Sequence, residues 1–132
     1  MNKMANRWLS FVEDDLKMAQ LALAEKMYNQ VCFHAQQAAE KALKAFIIAS
    51  GEATPHTHKL VDLLLMIRDS QLEKMRPQLQ RLDQFYLPTR YPDALPGTLP
   101  EGLPNERDAK TALETAQEVL KMVQDALQGG QG

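Results

Sequence analysis

A histidine, a glutamine and a lysine recur at helical spacing in one segment of this 132-residue chain, among unusually small residues. At about 100° per residue, His34, Gln37 and Lys41 fall on one narrow stripe. The stripe borders an apolar face made by Tyr28, Val31, Cys32, Ala35, Ala39, Ala42, Leu43 and Phe46. Polar groups on such a border are either sealed at a helix contact or displayed in a groove. We predict that the stripe binds a ligand, with Lys41 able to hold a phosphate, although a sealed contact remains an alternative.

A second candidate lies in a segment where proline recurs every fourth residue, from Pro88 to Pro104. Arg90 could clamp a phosphate and Tyr91 could stack on a base, as cationic and aromatic side chains do in proteins that bind single strands. Alternatively, Arg90 pairs with a carboxylate and Tyr91 simply packs. We predict Arg90 and Tyr91 as further ligand-binding residues, and we assign no residue as catalytic.

Asp15 breaks the pattern of the first predicted helix. It falls between Phe11 and Ala19 on the apolar side, where an unpaired carboxylate would be costly. We therefore predict that Asp15 is buried with a hydrogen-bond partner. The partners that fit by chemistry are His34, Tyr28, Tyr86 and Arg90.

Phe33 and Ile48 break the pattern of the second helix in the opposite sense, because they fall on its polar side. A single chain would leave both exposed to water. Their positions favour contact with another subunit, and a twofold homodimer is the commonest small oligomer.

The histidines and the cysteine do not predict a metal site, a cofactor site or a reactive thiol. His56 and His58 could share a metal, but no third ligand is apparent and a pair at a helix start explains them better, so we predict no metal and no cofactor. Cys32 is the one cysteine and lies in the apolar arc, which is typical of a small buried side chain in a reducing compartment.

Composition narrows the function classes. The net charge is −2, which is too acidic for the broad basic surface of a sequence-independent nucleic-acid binder. No apolar run approaches the roughly 18 residues of a membrane span, and the start lacks the apolar region of a signal peptide. We expect a cytoplasmic protein that does not enter a membrane.

Helical periodicity dominates the chain and predicts an all-α fold, an antiparallel four- to five-helix up-down bundle. The first helix spans about 6–25, capped by Asn6, and the second about 28–50, ended by Gly51. A short third helix is capped by Thr57. A fourth begins near Leu72 or Pro77 and ends at Pro88, and the last follows Asn105, paired with Asp108 as a capping box, to about 127. We predict one domain over 1–128 with a proline-rich surface loop at 88–104 and a disordered tail at 129–132.

Four groups of residues resemble the HEPN family (higher eukaryotes and prokaryotes nucleotide-binding domain), in its small prokaryotic branch. They are Trp8 with Asp15-Leu16, the block 33–45, Thr57-His58-Lys59-Leu60, and Tyr86 followed by Arg90-Tyr91-Pro92. The likeness covers about 7–127, and the block 33–45 is its most specific part. It implies a bundle of four or five helices, frequent homodimers, a minimal nucleotidyltransferase as partner, and toxin–antitoxin pairs.

Many HEPN proteins resemble metal-independent ribonucleases that carry an arginine followed four to six residues later by a histidine, both at a dimer cleft. Neither Arg90 nor Arg107 has a histidine at that spacing. Cleavage by 2′-hydroxyl attack needs a proton acceptor as well as a cation. We therefore predict a non-catalytic module that binds a nucleotide or RNA or a nucleotidyltransferase partner. The alternative is a ribonuclease toxin whose base has moved to His34 or His56.

Overall fold

The computed structural model describes residues 2–86, 99 and 102–129, and its named elements are all helices. They are α1 (Lys3–Ala24), α2 (Tyr28–Ala49), α3 (Leu60–Leu65), α4 (Ser70–Glu73), α5 (Arg76–Asp83) and α6 (Glu106–Gly129). The all-α prediction is confirmed. The predicted fourth helix is two short helices. Most of the predicted loop at 88–104 and residues 130–132 of the predicted tail at 129–132 lie outside the described residues, whereas Gly129 is the last residue of α6.

The ends of the long helices follow local chemistry. The side chain of Asn2 accepts hydrogen bonds from the backbone N–H of Met4 at 2.8 Å and of Ala5 at 3.3 Å, so it caps α1. The prediction of Asn6 as the cap is wrong, because Asn2 offers the same chemistry one turn earlier. Gly51 follows α2 with φ of 90°, a conformation that glycine adopts without strain.

The capping box of α6 is confirmed. The backbone N–H of Asp108 donates to Asn105 Oδ1 at 2.9 Å, and the N–H of Asn105 donates to Asp108 Oδ2 at 3.0 Å. Two of the free N–H groups at the start of the helix are thereby satisfied. The last helix extends to Gly129, slightly beyond the predicted end.

The cap of α3 comes from another helix. Asp83 at the end of α5 accepts the backbone N–H of Leu60 at 2.8 Å and of Val61 at 3.1 Å. Thr57, the predicted cap, instead accepts the N–H of Lys59 and donates to Asp62. Burial raises the pKa of the Asp83 carboxyl above its usual value of 3.8, and the two backbone donors oppose that rise.

Helix α2 lies at the centre of the bundle. A short turn, in which Lys26 has φ of 60°, leads into it from α1, so α1 and α2 are antiparallel. Asn6 and Leu9 share a surface groove with Gln124 and Gln128, so α6 is also antiparallel to α1. The predicted seam of α6 contributes Ala109, Leu113, Ala116, Leu120 and Val123 to the core.

This central position corrects one prediction. Ile48 is only 7% exposed and Phe33 is half-buried, with its ring edge-on to that of His34 and the ring centres 5.2 Å apart. The exposure predicted for these residues is therefore wrong, since helices cover α2 on more sides than its amphipathic pattern indicates. They provide no evidence for a second subunit.

Cys32 is fully buried on α2, as predicted. Burial raises the pKa of its thiol to about 12, with a smaller contribution from the negative charge of Asp108. The thiol is therefore protonated at neutral pH. Among the described helices, none is long and apolar enough to cross a membrane.

Candidate functional site

Asp15 joins α1 to α2 through two side chains of the predicted stripe. Its Oδ1 lies 3.2 Å from His34 Nδ1, and its Oδ2 accepts a hydrogen bond from Lys41 Nζ at 2.5 Å. The Asp15 side chain is 12% exposed, that of His34 20% and that of Lys41 27%. The prediction that Asp15 is buried and hydrogen-bonded is confirmed. We call these three residues the Asp15 cluster.

His34 was among the predicted partners of Asp15, whereas Lys41 was not. The missed signal is their spacing: residues seven apart lie on one side of a helix, so a carboxylate that faces both can bridge them. Tyr28 and Tyr86, also named, make no hydrogen bond to Asp15 within the described part of the chain, and Arg90 lies outside it.

Gln37 belongs to a different set of contacts. Its Nε2 donates to Gln36 Oε1 at 2.8 Å, and Gln36 Nε2 donates to the backbone oxygen of His58 at 3.2 Å. The predicted stripe is therefore divided. His34 and Lys41 meet at Asp15, whereas Gln37 supports a chain of amides that leads toward the start of α3.

The Asp15 cluster leaves two functional atoms available. An ammonium has three donors, and within the described part of the chain Asp15 takes one of those of Lys41. An ionised carboxylate only accepts hydrogen bonds, so contact with Asp15 assigns the proton to Nδ1 of neutral His34 and leaves a lone pair on Nε2. The cluster can therefore contact an anion through Lys41 and accept a proton at His34.

A second polar cluster, which the sequence did not predict as a site, lies elsewhere on α2. Glu40 Oε2 is 3.0 Å from Lys44 Nζ and 3.2 Å from His58 Nδ1. We call these three residues the Glu40 cluster. Lys44 and Glu40 are only 6% and 7% exposed, and Glu40 Oε1 is buried without a hydrogen-bond partner among the described residues.

Aromatic rings accompany the Glu40 cluster. Lys44 Nζ lies 6.0 Å from the centre of the Trp8 ring, and the centre of the His58 ring lies 5.5 Å from that of Tyr86. The pairing of Glu40 with Lys44 is the ordinary intrahelical contact that their spacing predicts. Their burial was missed because it depends on the helices packed around α2.

The remaining site predictions are not tested by the described residues. Arg90 and Tyr91 lie outside them. His58 contacts Glu40, and within the described ranges no three His, Cys, Asp or Glu side chains are grouped so that they could hold a metal.

Comparison with known proteins gives the class of this chain. The family model described as HEPN domain matches residues 5–126, so the chain belongs to the HEPN family. Among the relatives, "Putative toxin MJ1304" of Methanocaldococcus jannaschii is 30% identical, with 95% of this chain and 89% of the relative covered.

Solved structures agree with this assignment. TT1696 from Thermus thermophilus is 35% identical with a TM-score of 0.77, covering 95% of this chain and 98% of its own. ST0689, described as an archaeal HEPN homologue, is 28% identical with a TM-score of 0.76, covering 96% of this chain and 99% of its own. The predicted resemblance is confirmed, and the bundle is that of a HEPN domain.

Proposed function

We propose that this HEPN domain is a non-catalytic module that binds a nucleotide or RNA at the Asp15 cluster. Lys41 and His34 contact the phosphate of the ligand, and Gln37 lies beside them on α2. Arg90 and Tyr91, in the proline-rich segment 88–104, provide further contacts to the ligand. The module acts in the cytoplasm in a toxin–antitoxin-type pair with a minimal nucleotidyltransferase. The M. jannaschii relative bears the name "Putative toxin MJ1304", which supports this setting.

One observation supports the Asp15 cluster as the ligand site. Asp15 holds Lys41 at a partly exposed position, where the ammonium keeps donors for a second acceptor. The flexible lysine side chain is thereby fixed before a ligand arrives, which lowers the conformational entropy lost on binding. Lys44 is also paired with a carboxylate, but it is 6% exposed and cannot reach a ligand without unfolding its surroundings.

We propose a non-catalytic module because of what the sequence lacks. Neither Arg90 nor Arg107 is followed by a histidine after four to six residues. An arginine alone can stabilise a phosphorane-like charge, but it cannot accept the proton of the attacking hydroxyl.

Binding of a fluorescently labelled RNA, with ATP as competitor, tests the proposal. Lys41→Ala should raise the dissociation constant about tenfold and reduce the salt slope of log K by about one, as loss of one phosphate contact does. Lys110→Ala is the matched control, since Lys110 is exposed and 3.9 Å from its partner Glu106. Equal affinities for the two variants would reject Lys41 as a phosphate contact.

The ribonuclease alternative has one observation in its favour. Asp15 contacts Nδ1 of His34, which is how a carboxylate orients a histidine that acts as a base through Nε2. If the chain is a ribonuclease, purified protein should cut RNA in excess chelator, and His34→Ala should abolish the cleavage while His56→Ala leaves it. If it is a binding module, neither variant nor the parent should cut.

A further inference from the structure

Two neighbouring glutamines of α2 form a hydrogen-bonded pair that ends on the backbone. Gln37 Nε2 donates to Gln36 Oε1 at 2.8 Å, and Gln36 Nε2 donates to the backbone oxygen of His58 at 3.2 Å. Gln36 is 1% exposed, whereas Gln37 is half-buried and belongs to the stripe that we predicted as a ligand site. We call the two glutamines the amide pair.

The direction of the amide pair is fixed by the backbone carbonyl at its end. A carbonyl oxygen only accepts hydrogen bonds, so Gln36 must turn its Nε2 toward His58 and its Oε1 toward Gln37. Gln37 must then turn its Nε2 toward Gln36, because two oxygens cannot form a hydrogen bond with each other. Reversal of either amide would therefore break a hydrogen bond.

Gln37 consequently offers a defined set of polar groups to a ligand. Its Oε1 accepts no hydrogen bond within the described part of the chain. That oxygen reaches solvent, since Glu40 Oε1 is the one buried side-chain oxygen or nitrogen that lacks a partner among the described residues. One N–H of Gln37 Nε2 is also unused, because the contact with Gln36 takes the other. Gln37 thus presents an acceptor and a donor next to each other.

We propose that Gln37 pairs with the edge of an adenine base, and that Gln36 is a positioning residue that holds Gln37 for this contact. A side-chain amide matches adenine through two hydrogen bonds: its oxygen accepts from the 6-amino group, and its N–H donates to N7. Single-stranded RNA exposes this edge of the base. The inference rests on the proposed function and adds to it the base that the site prefers.

The place of Gln37 on α2 suits a nucleotide whose phosphate is bound by Lys41. Residues four apart on a helix are neighbours, with about 6 Å between their Cβ atoms. Their flexible side chains span the remaining distance to the phosphate and to the base edge of one nucleotide. Asp15 holds Lys41, as Gln36 holds Gln37, so both contacts are arranged before a ligand arrives.

Hexamers of adenosine and of purine riboside, which lacks the 6-amino group, test the base contact by fluorescence anisotropy. The parent chain should bind the adenosine hexamer about tenfold more tightly. Gln37→Met keeps the length of the side chain but removes its amide, so it should bind both hexamers with the same affinity. Gln124→Met is the matched control, since Gln124 is also partly buried but lines the groove between α1 and α6, and it should keep the preference.

Two substitutions of Gln36 separate its positioning role from its effect on stability. Gln36→Met and Gln36→Glu both lose the donor to the His58 carbonyl, so urea unfolding should show that both lower stability. Glutamate keeps an oxygen that accepts from Gln37, whereas methionine does not. Gln36→Glu should therefore retain the preference for adenosine of about tenfold, and Gln36→Met should lose it. Circular dichroism verifies that each variant is folded, and if Gln36→Glu is not, Gln37→Met still decides the base contact.

Equal affinity of the parent for the two hexamers would overturn the adenine contact, and so would a preference that Gln37→Met retains. A preference that both Gln36 variants retain, or that both lose, would overturn the positioning role. Lys41→Ala is a separate readout, because it should weaken both hexamers by the same factor. Equal binding of both hexamers that Lys41→Ala weakens would leave the proposed function intact, whereas a parent that binds neither would overturn the proposed function as well.

Discussion

The Asp15 cluster and the Glu40 cluster contain the same kinds of side chain, one carboxylate, one lysine and one histidine, yet they occupy different environments. Lys41 and His34 remain partly open to solvent. Lys44 and Glu40 are almost completely enclosed, and only His58 of that cluster reaches the surface. Similar side chains thus occur in two different environments around α2.

The difference in burial decides what each cluster can do. A buried ion pair must satisfy itself, because removing either partner leaves a charge without water. A partly exposed pair can exchange a protein partner for water or a ligand at modest cost. The Glu40 cluster therefore joins α2 to the start of α3, while the Asp15 cluster is the one that we propose as the ligand site.

The largest expected effect is a loss of stability when the buried pair of Glu40 and Lys44 is broken. Glu40→Ala should lower the free energy of unfolding by about 3 to 5 kcal/mol, since it leaves the Lys44 ammonium buried without a carboxylate. Urea unfolding measures it, and the added substitution Lys44→Met should recover a substantial part of the loss. If Glu40→Ala were within about 0.5 kcal/mol of the parent, burial would not make the Glu40 cluster more important for stability than the Asp15 cluster.

A smaller effect is expected at the Asp15 cluster. Asp15→Ala should lower the free energy of unfolding by about 1 to 3 kcal/mol, because it removes the shared acceptor of His34 and Lys41. Asp14→Ala is the matched control, since the neighbouring Asp14 is exposed, and it should change stability by less than about 0.5 kcal/mol. Equal losses for the two variants would contradict the role assigned to Asp15.

The buried carboxyl of Asp83, which caps α3, should make the stability of the protein depend on pH. The pKa of Asp83 is raised in the folded chain, so the folded state holds this proton more tightly than the unfolded state. Its contribution to stability should therefore fall as pH rises from the usual value of 3.8 through the folded pKa. The stability of the parent relative to Asp83→Asn, measured in steps from acid to neutral pH, should decline over that window, and an increase would show that the backbone donors outweigh burial.

The smallest expected effect is on the reactivity of the Cys32 thiol, which lies on the buried side of α2. With a thiol pKa raised to about 12, the native protein should react with a disulfide reagent at mildly alkaline pH far more slowly than the unfolded chain. Glu40→Ala should accelerate the reaction more than Asp15→Ala, because it costs more stability. Rapid labelling of the native parent would show that Cys32 is accessible.

Signals that act within one or two turns were predictable. The capping box of Asn105 and Asp108, the stop at Gly51 and the apolar seam of α6 each depend on neighbours along the chain. The burial of Asp15 was also predictable, because an acid between apolar residues of a helix needs a partner. Even so, the prediction of Asn6 as the cap was wrong, since Asn2 lies one turn earlier and offers the same side-chain acceptor.

Signals that act between helices were not predictable. Thr57 was a reasonable cap for α3 on the sequence alone. In the structure the Asp83 carboxylate of α5 accepts hydrogen bonds from the N–H groups at the start of α3 instead. Ile48 was expected in water, because the pattern of α2 alone cannot reveal a helix covered on nearly all sides. The contact of Lys41 with Asp15 was not predicted, because it depends on how α1 packs against α2.

The sequence by itself determined the long helices, their approximate ends and the polar character of α2, because periodicity, caps and residue type are properties of the local chain. HEPN membership was recognisable from the sequence through the motifs that resemble the family, above all the block 33–45. Only the tertiary structure decided which of two lysines three residues apart is enclosed and which stays open. The reason is physical: exposure depends on what the neighbouring helices cover, and Trp8 and Asp15 come to Lys44 and Lys41 only when the bundle is formed.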